Sequence, residues 1–196
     1  MQNTDKSLID AHLRGDRTAF GELVSRYGDS VLGFLTRMSR DREQAEDLFQ
    51  ETFKRVHTKA HTLRGNQFKS WLFTIATHVA IDGVRRRKRR QVVSLNQKLD
   101  CDDADGQELG AVAVADSSCD PSQEALRAEQ VQQVRRALAS LPAKQRATLV
   151  LAYYQQLTYK EVAEVLGCSI GTVKTQMYRA LRSLAQRLPD VAGDVE

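Results

Sequence analysis

Apolar residues recur along the chain at spacings of three and four, and no run alternates with the period of a strand. Phe20, Leu23, Val24, Tyr27, Val31, Leu35 and Met38 form one such stripe. Ala45, Leu48, Phe49, Thr52, Phe53 and Val56 form a second, and Phe68, Trp71, Leu72, Ile75 and Val79 a third. Each stripe marks the inner face of an amphipathic helix. Asp41 stands where the second helix needs a cap, and Gly65-Asn66 breaks the chain before the third. A shorter helix is expected near Ser7–Arg14. Residues 1–91 therefore read as a bundle of three main helices and a short one.

From about Val92 to Asp120 the period fades. Asp100-Cys-Asp-Asp-Ala-Asp-Gly106 and Asp116-Ser-Ser-Cys-Asp-Pro121 are loop compositions, and the apolar run Leu109–Ala115 is too isolated to form a core. Beyond Pro121 the stripe resumes with Val131, Val134, Leu138 and Leu141. Leu141-Pro142 ends that helix, and Ala147–Tyr154 opens another. The expected fold is all-α: two small helical domains, residues 1–91 and 122–189, joined by a flexible acidic linker over 92–121. A tail covers 190–196.

The most specific local pattern lies near the C-terminus. Thr158-Tyr-Lys-Glu161 fits a capping box. Val162, Ala163 and Leu166 give the short helix an inner face, and Gly167 supplies the left-handed residue of a tight turn. Ser169 can cap a second helix whose inner face is Val173, Met177, Leu184 and Leu188. Small Ala163, then Gly167, then Val173 is the spacing of a helix-turn-helix. An ordinary helical hairpin would bury the same stripe, but it would not need all three residues at once. The outward face carries Lys174, Thr175, Tyr178, Arg179 and Arg182, which offer donors to phosphates and base edges and one aromatic ring. At 1.5 Å per residue the second helix would be about 30 Å long, so only its N-terminal half can lie deep in a major groove.

Composition narrows the classes. No apolar stretch approaches the roughly 18 residues of a membrane span. No apolar segment follows Met1–Lys6, so no export signal is expected and a cytoplasmic location is. Cys101, Cys119 and Cys168 are odd in number and lack metal-ligand spacing, which argues for reduced thiols and against a zinc site. No Gly-rich phosphate loop or nucleophile–base pair appears, so neither catalysis nor a cofactor is expected.

Charge is unevenly spread. Residues 1–90 carry a net of +7, residues 91–125 a net of −7, and residues 126–196 a net of +4. Two basic blocks around an acidic segment suit two domains that meet polyanions. The densest cluster is Arg85, Arg86, Arg87, Lys88, Arg89 and Arg90, continuing the helix of Trp71 and Ile75. Consecutive cations cannot share one helix face, so the run suits phosphate binding rather than base reading. Cations also suit a helix C-terminus, but one cap does not require six.

Three stretches together resemble the extracytoplasmic-function (ECF) sigma factors of bacterial RNA polymerase. Asp41-Arg-Glu-Gln-Ala-Glu-Asp-Leu-Phe-Gln-Glu-Thr-Phe53 is similar to the polymerase-binding segment of region 2. Phe68-Lys-Ser-Trp-Leu-Phe-Thr-Ile-Ala76, continuing through Ala80-Ile-Asp82 into the basic run, is similar to the segment that melts and reads the −10 element. Leu141-Pro142, Leu157-Thr-Tyr-Lys-Glu-Val-Ala163 and Gly171-Thr-Val-Lys-Thr-Gln-Met-Tyr-Arg-Ala180 resemble the region 4 helix-turn-helix that reads the −35 element.

The resemblance implies a factor that binds core RNA polymerase, directs it to promoter DNA and helps open the −10 element, with an anti-sigma factor as a further partner. It places Asp47, Gln50 and Glu51 against the polymerase, where a carboxylate-rich face suits a basic partner. It places Arg64, Gly65, Asn66 and Gln67 in a loop that captures a flipped base, with His78, Asp82 and the basic run 85–90 also on the −10 segment. It places Ser169, Thr172, Lys174, Thr175, Tyr178, Arg179 and Arg182 at the −35 element. Trp71 lies on the apolar stripe and reads as core. His78 and Gln176 depart from the residues usual at those positions, which bears on promoter preference. The element names imply sites about 85 Å apart at 3.4 Å per base pair, whereas a flexible coil of this linker's length typically reaches only about 30 Å. The alternative function is a stand-alone helix-turn-helix regulator. A receiver-type partner domain would need alternating strands, which the first block lacks.

Overall fold

A computed structural model describes residues 4–39, 41–97 and 121–188, with the side chains of Lys88, residues 90–97 and residues 121–128 excepted. The acidic segment 98–120 and the tail beyond Leu188 lie outside the described residues, and with them most of the expected linker.

Side-chain caps set the helix starts of the first block. Thr4 accepts from the Ser7 amide and begins α1 (Asp5–Leu13). Asp16 accepts from the Thr18 amide and begins α2 (Arg17–Met38). Asp41, the expected cap, accepts from the Gln44 amide at 2.7 Å and begins α3 (Arg42–Lys59). Each cap satisfies an amide that the helix cannot. After a short turn comes α4 (Phe68–Gln97), which continues six residues past the expected boundary at 91. Leu23, Val31, Leu35, Met38, Val56, Phe68 and Leu72 fill the core as their stripes require. Phe34 and Phe73 lie off those stripes, yet both are fully buried and meet edge to face at 5.5 Å. At Gly83 a Cβ would come within 3.0 Å of Leu48 Cδ2, so α3 and α4 approach closely at a glycine. Asp5 ties α1 to α2 by accepting from Arg26 at 2.6 Å and Tyr27 at 2.5 Å. Burial first, and the Asp5 contact second, push the Tyr27 hydroxyl well above the usual tyrosine range.

The second block comprises α5 (Pro121–Ser140), α6 (Ala143–Leu149), a π-helical turn (Val150–Tyr154), α7 (Tyr159–Leu166) and α8 (Ile170–Ala185). The helix expected from Ala147 starts four residues earlier, directly after Pro142, and its last turn widens. Proline has no amide to satisfy, so it sits readily at a helix start. Leu138, Leu141, Leu149, Met177 and Ala180 form a small cluster of their own.

The two blocks are packed on one another. One buried cluster runs continuously from Phe34, Phe73 and Ala76 to Val150, Leu151, Val162, Val165 and Val173. Arg146 is only 6% exposed and donates through Nη1 to the Met38 carbonyl at 2.9 Å. Its Nη2 donates to the Ala139 and Leu141 carbonyls. Lys69 Nζ donates to the Gln155 carbonyl at 2.9 Å, and Gln155 Nε2 donates to the Ser30 carbonyl at 3.2 Å. The Arg37 guanidinium lies 4.1 Å from the centre of the Tyr154 ring.

Candidate nucleic-acid interface

The helix-turn-helix is built as its sequence requires. The Thr158 side chain accepts from the Glu161 amide, and the Glu161 carboxylate accepts from the Thr158 amide at 2.8 Å, completing the capping box of α7. The Thr158 hydroxyl and amide hold the Glu161 carboxyl below its ordinary value, with a smaller contribution from Lys69. Gly167 closes α7 at φ 61°, ψ 43°, a left-handed conformation that costs any residue with a Cβ. Val162, Ala163 and Val165 are buried. Leu166, expected on the inner face, is only half-buried, because Val165 takes the inward position one residue earlier. Ser169 caps α8 by accepting from the Thr172 amide, and its hydroxyl also meets the Thr172 hydroxyl at 2.9 Å. Val173, Met177 and Ala180 face inward, while Leu184 and Leu188 are half-buried near the helix end.

The opposite face of α8 is open. Thr172, Lys174, Thr175, Tyr178, Arg179 and Arg182 are all exposed, Tyr178 to 65%. Thr175 donates to the Gly171 carbonyl, which holds its hydroxyl against the backbone. Lys174, Tyr178, Arg179 and Arg182 thus present three cations and an aromatic ring on one helix face. That combination suits phosphate oxygens and base edges.

On the first block, Arg64, Gly65, Asn66 and Gln67 form an exposed loop, with Gly65 at φ 74°. Arg64, Gln67, Trp71 and Thr74 border an open cleft of about 250 Å3, which Glu164 of α7 also lines. Trp71 is half-buried: it packs against the core and borders this cleft. His78 is exposed and lines a second cavity of about 100 Å3, shared with Thr172, Gln176 and Cys168 of the second block. Sequence separates these residues by about a hundred positions, and the packing of the blocks brings them together. The face of Lys174, Tyr178 and Arg179 borders neither cavity.

The basic run does not act as one unit. Arg85, Arg86 and Arg89 are exposed, and Asp82 lies 4.0 Å from Arg85. Arg87 turns inward and pairs with Asp41 at 3.2 Å, so one of the expected phosphate ligands also braces α4 against the cap of α3. The side chains of Lys88 and Arg90 lie outside the described residues. On α3, Asp47 and Gln50 are exposed, while Glu51 is half-buried and paired with Arg55 at 2.6 Å. Lys69, Gln155, Glu164 and Arg146 have no counterpart in the sequence reading. A lone polar residue gives no periodic signal of the surface it will meet.

Among the described residues, no helix is long and apolar enough to cross a membrane. Residues 23–90 match the protein family Sigma-70 region 2, and residues 131–184 match Sigma-70, region 4. RNA polymerase sigma-H factor of Pseudomonas aeruginosa is 31% identical over 188 residues, covering 95% of each chain. ECF RNA polymerase sigma factor SigW of Bacillus subtilis is 30% identical over 194 residues, covering 97% of this chain and all of that one. The sigma factor RpoE of Bartonella quintana, solved in complex with the anti-sigma factor NepR, superposes with a TM-score of 0.67 at 26% identity. That match covers 87% of this chain and 96% of RpoE. CnrH, solved with the cytosolic domain of CnrY, shares the fold with a TM-score of 0.68 at 22% identity, over 96% of this chain and 99% of that one. With both regions in order along the chain and relatives matched over nearly its whole length, this protein belongs to the sigma-70 family, among its extracytoplasmic-function RNA polymerase sigma factors.

Proposed function

We propose that this chain binds core RNA polymerase in the cytoplasm, directs it to a specific set of promoters and helps open their −10 element, without performing chemistry of its own. One juxtaposition carries this reading: a capped helix-turn-helix with Lys174, Tyr178, Arg179 and Arg182 exposed shares a chain with a bundle whose 64–67 loop and α4 offer arginine, glutamine and histidine to DNA. In this reading α8 contacts the −35 element through Ser169, Thr172, Lys174, Thr175, Tyr178, Arg179 and Arg182. The 64–67 loop, His78, Asp82 and the exposed members of the 85–90 run engage the −10 strand. Asp47, Gln50 and Glu51 of α3 face the polymerase. The first functional unit runs to the end of α4 and the second starts with α5. An anti-sigma factor, like the one solved with RpoE, is the expected negative regulator.

The test is retention of the purified protein on core polymerase, followed by footprinting of the assembled complex on promoter DNA. Protection at both elements that requires polymerase supports the reading. Protection by the protein alone at a single site would mark a stand-alone regulator instead.

A further inference from the structure

Residues of α4, α6, α7 and α8 enclose the cavity of about 100 Å3 that His78 lines. Its wall carries a hydroxyl that the protein does not satisfy. Thr77 is 1% exposed and lines the cavity, and its Oγ1 has no hydrogen-bond partner among the protein groups. The other buried threonines among the described residues are satisfied locally. Thr52 donates to the Leu48 carbonyl and Thr148 to the Lys144 carbonyl, each four residues back along its helix. Thr77 does not take that route, so its partner has to come from outside the chain. A buried hydroxyl left without one is costly.

The chemistry of the lining selects that partner. Among the described residues that line the cavity, none is acidic. Lys144 brings an ammonium group, and His78 an imidazole that offers an N–H in either charge state. Gln176 can donate through its side-chain amide. Thr172 stands in the first turn of the 16-residue α8, where the aligned peptide dipoles favour negative charge. Lys144 and His78 are exposed and Thr77 is buried, so a ligand arriving from solvent meets the cations before the hydroxyl. Apolar Ile81, Val165 and Leu166 complete the wall, and by limiting water they strengthen each polar contact made inside. A water takes about 10–15 Å3 of such space, so the cavity has room for several waters or for one anion with four oxygens. We propose that this cavity is a binding site for a small tetrahedral oxyanion of the phosphate class, held by Lys144, His78 and Thr77. Because α4 belongs to the first block and the other three helices to the second, the anion binds only while the blocks are packed. Its concentration then sets part of the stability of that packing by mass action.

The test uses the full chain and reads the site through Cys168, a half-buried thiol that lines the cavity. Alkylation of Cys168 by iodoacetamide is followed by peptide mass spectrometry in increasing inorganic phosphate, with chloride adjusted to constant ionic strength. Phosphate held on the 85–90 run would not shield that thiol, so the readout is local. At about ten times its Kd, phosphate should slow the alkylation about threefold or more and raise the thermal midpoint by about 3–5 °C. His78 and Thr172 are also assigned to DNA, so the variants use neither. Thr77→Val keeps the side-chain shape and removes the unpaired hydroxyl. It should fold at least as stably as the wild type without phosphate and lose both responses to it. Lys144→Gln, a change at an exposed position, should lose both responses as well and serves if the valine variant does not fold. Adenosine monophosphate is the second probe. Protection by inorganic phosphate assigns the site to the free ion, and protection by the nucleotide to the phosphate end of a larger molecule. No protection of Cys168 by either probe, or protection that persists undiminished in either variant, overturns the proposal.

Discussion

Lys174 and Arg179 are exposed on the open face of α8, so replacing either with alanine tests its proposed DNA contact without disturbing a packed group. A lost base contact should cost about 1–3 kcal/mol of binding. A lost phosphate contact should lower the slope of log affinity against log salt by about one. Titrating the −35 element with the polymerase complex at several salt concentrations distinguishes the two, and core-polymerase affinity should be unchanged. The acidic face of α3 calls for the opposite result. Asp47→Arg with Glu51→Arg should weaken capture of core polymerase at least tenfold while the helical circular dichroism stays intact. Asp47 is exposed, and Glu51 contributes only a surface ion pair to Arg55, of a kind worth about 0–1 kcal/mol. Unfolding of that variant would mean the pair is structural. At this scale the sequence is a good guide to exposure, since every residue placed on the outward face of α8 is exposed. It is a poor guide to partners. Arg87 is indistinguishable from its neighbours in a run of six cations, yet it turns to Asp41 because the helix period points that one position at the cap of α3.

Helices announce themselves where a side chain has to satisfy a helix end. Asp41, Thr158 and Ser169 are all caps, and Gly167 is the left-handed residue after α7. Their contributions are separable by mutation. Thr158→Ala should destabilise the second block by about 1 kcal/mol through loss of the cap. Gly167→Ala should cost about 1–2 kcal/mol through its positive φ, with open space around the added methyl. Both follow from denaturant midpoints. The capping box also gives a sign for pH. The Glu161 carboxyl titrates below its ordinary value of 4.5 in the folded chain, so it releases its proton more readily when folded. Its stabilising effect is complete above that value and fades as the pH falls below it. Glu161→Gln should therefore lower stability at neutral pH and flatten the acid side of the profile, the variant and the wild type converging as the pH falls. Stripes mark the first faces of the helices but not the second. Phe34 and Phe73 are buried because α2 and α4 are each packed on more than one side, and a helix so placed loses the single-stripe signature.

At the scale of the whole molecule, the all-α class and the two blocks are legible because each block repeats its own period and the segment between them has none. The docking of one block on the other is not. It depends on carbonyls of Met38, Ser30 and Gln155, which carry no sequence identity, and on Arg146, whose burial depends on carbonyls of both blocks. The proposed function draws these scales together, because it has α8, the α4 segment and the α3 face work in one complex. The most direct test is run-off transcription with purified core polymerase on fragments spanning the start sites that appear when this chain is overproduced. The account predicts transcripts from those sites only when the chain is added, lost with Asp47→Arg/Glu51→Arg and reduced with Lys174→Ala. Transcription of the same fragments by core polymerase without this chain, or only in the presence of a different sigma factor, would contradict it.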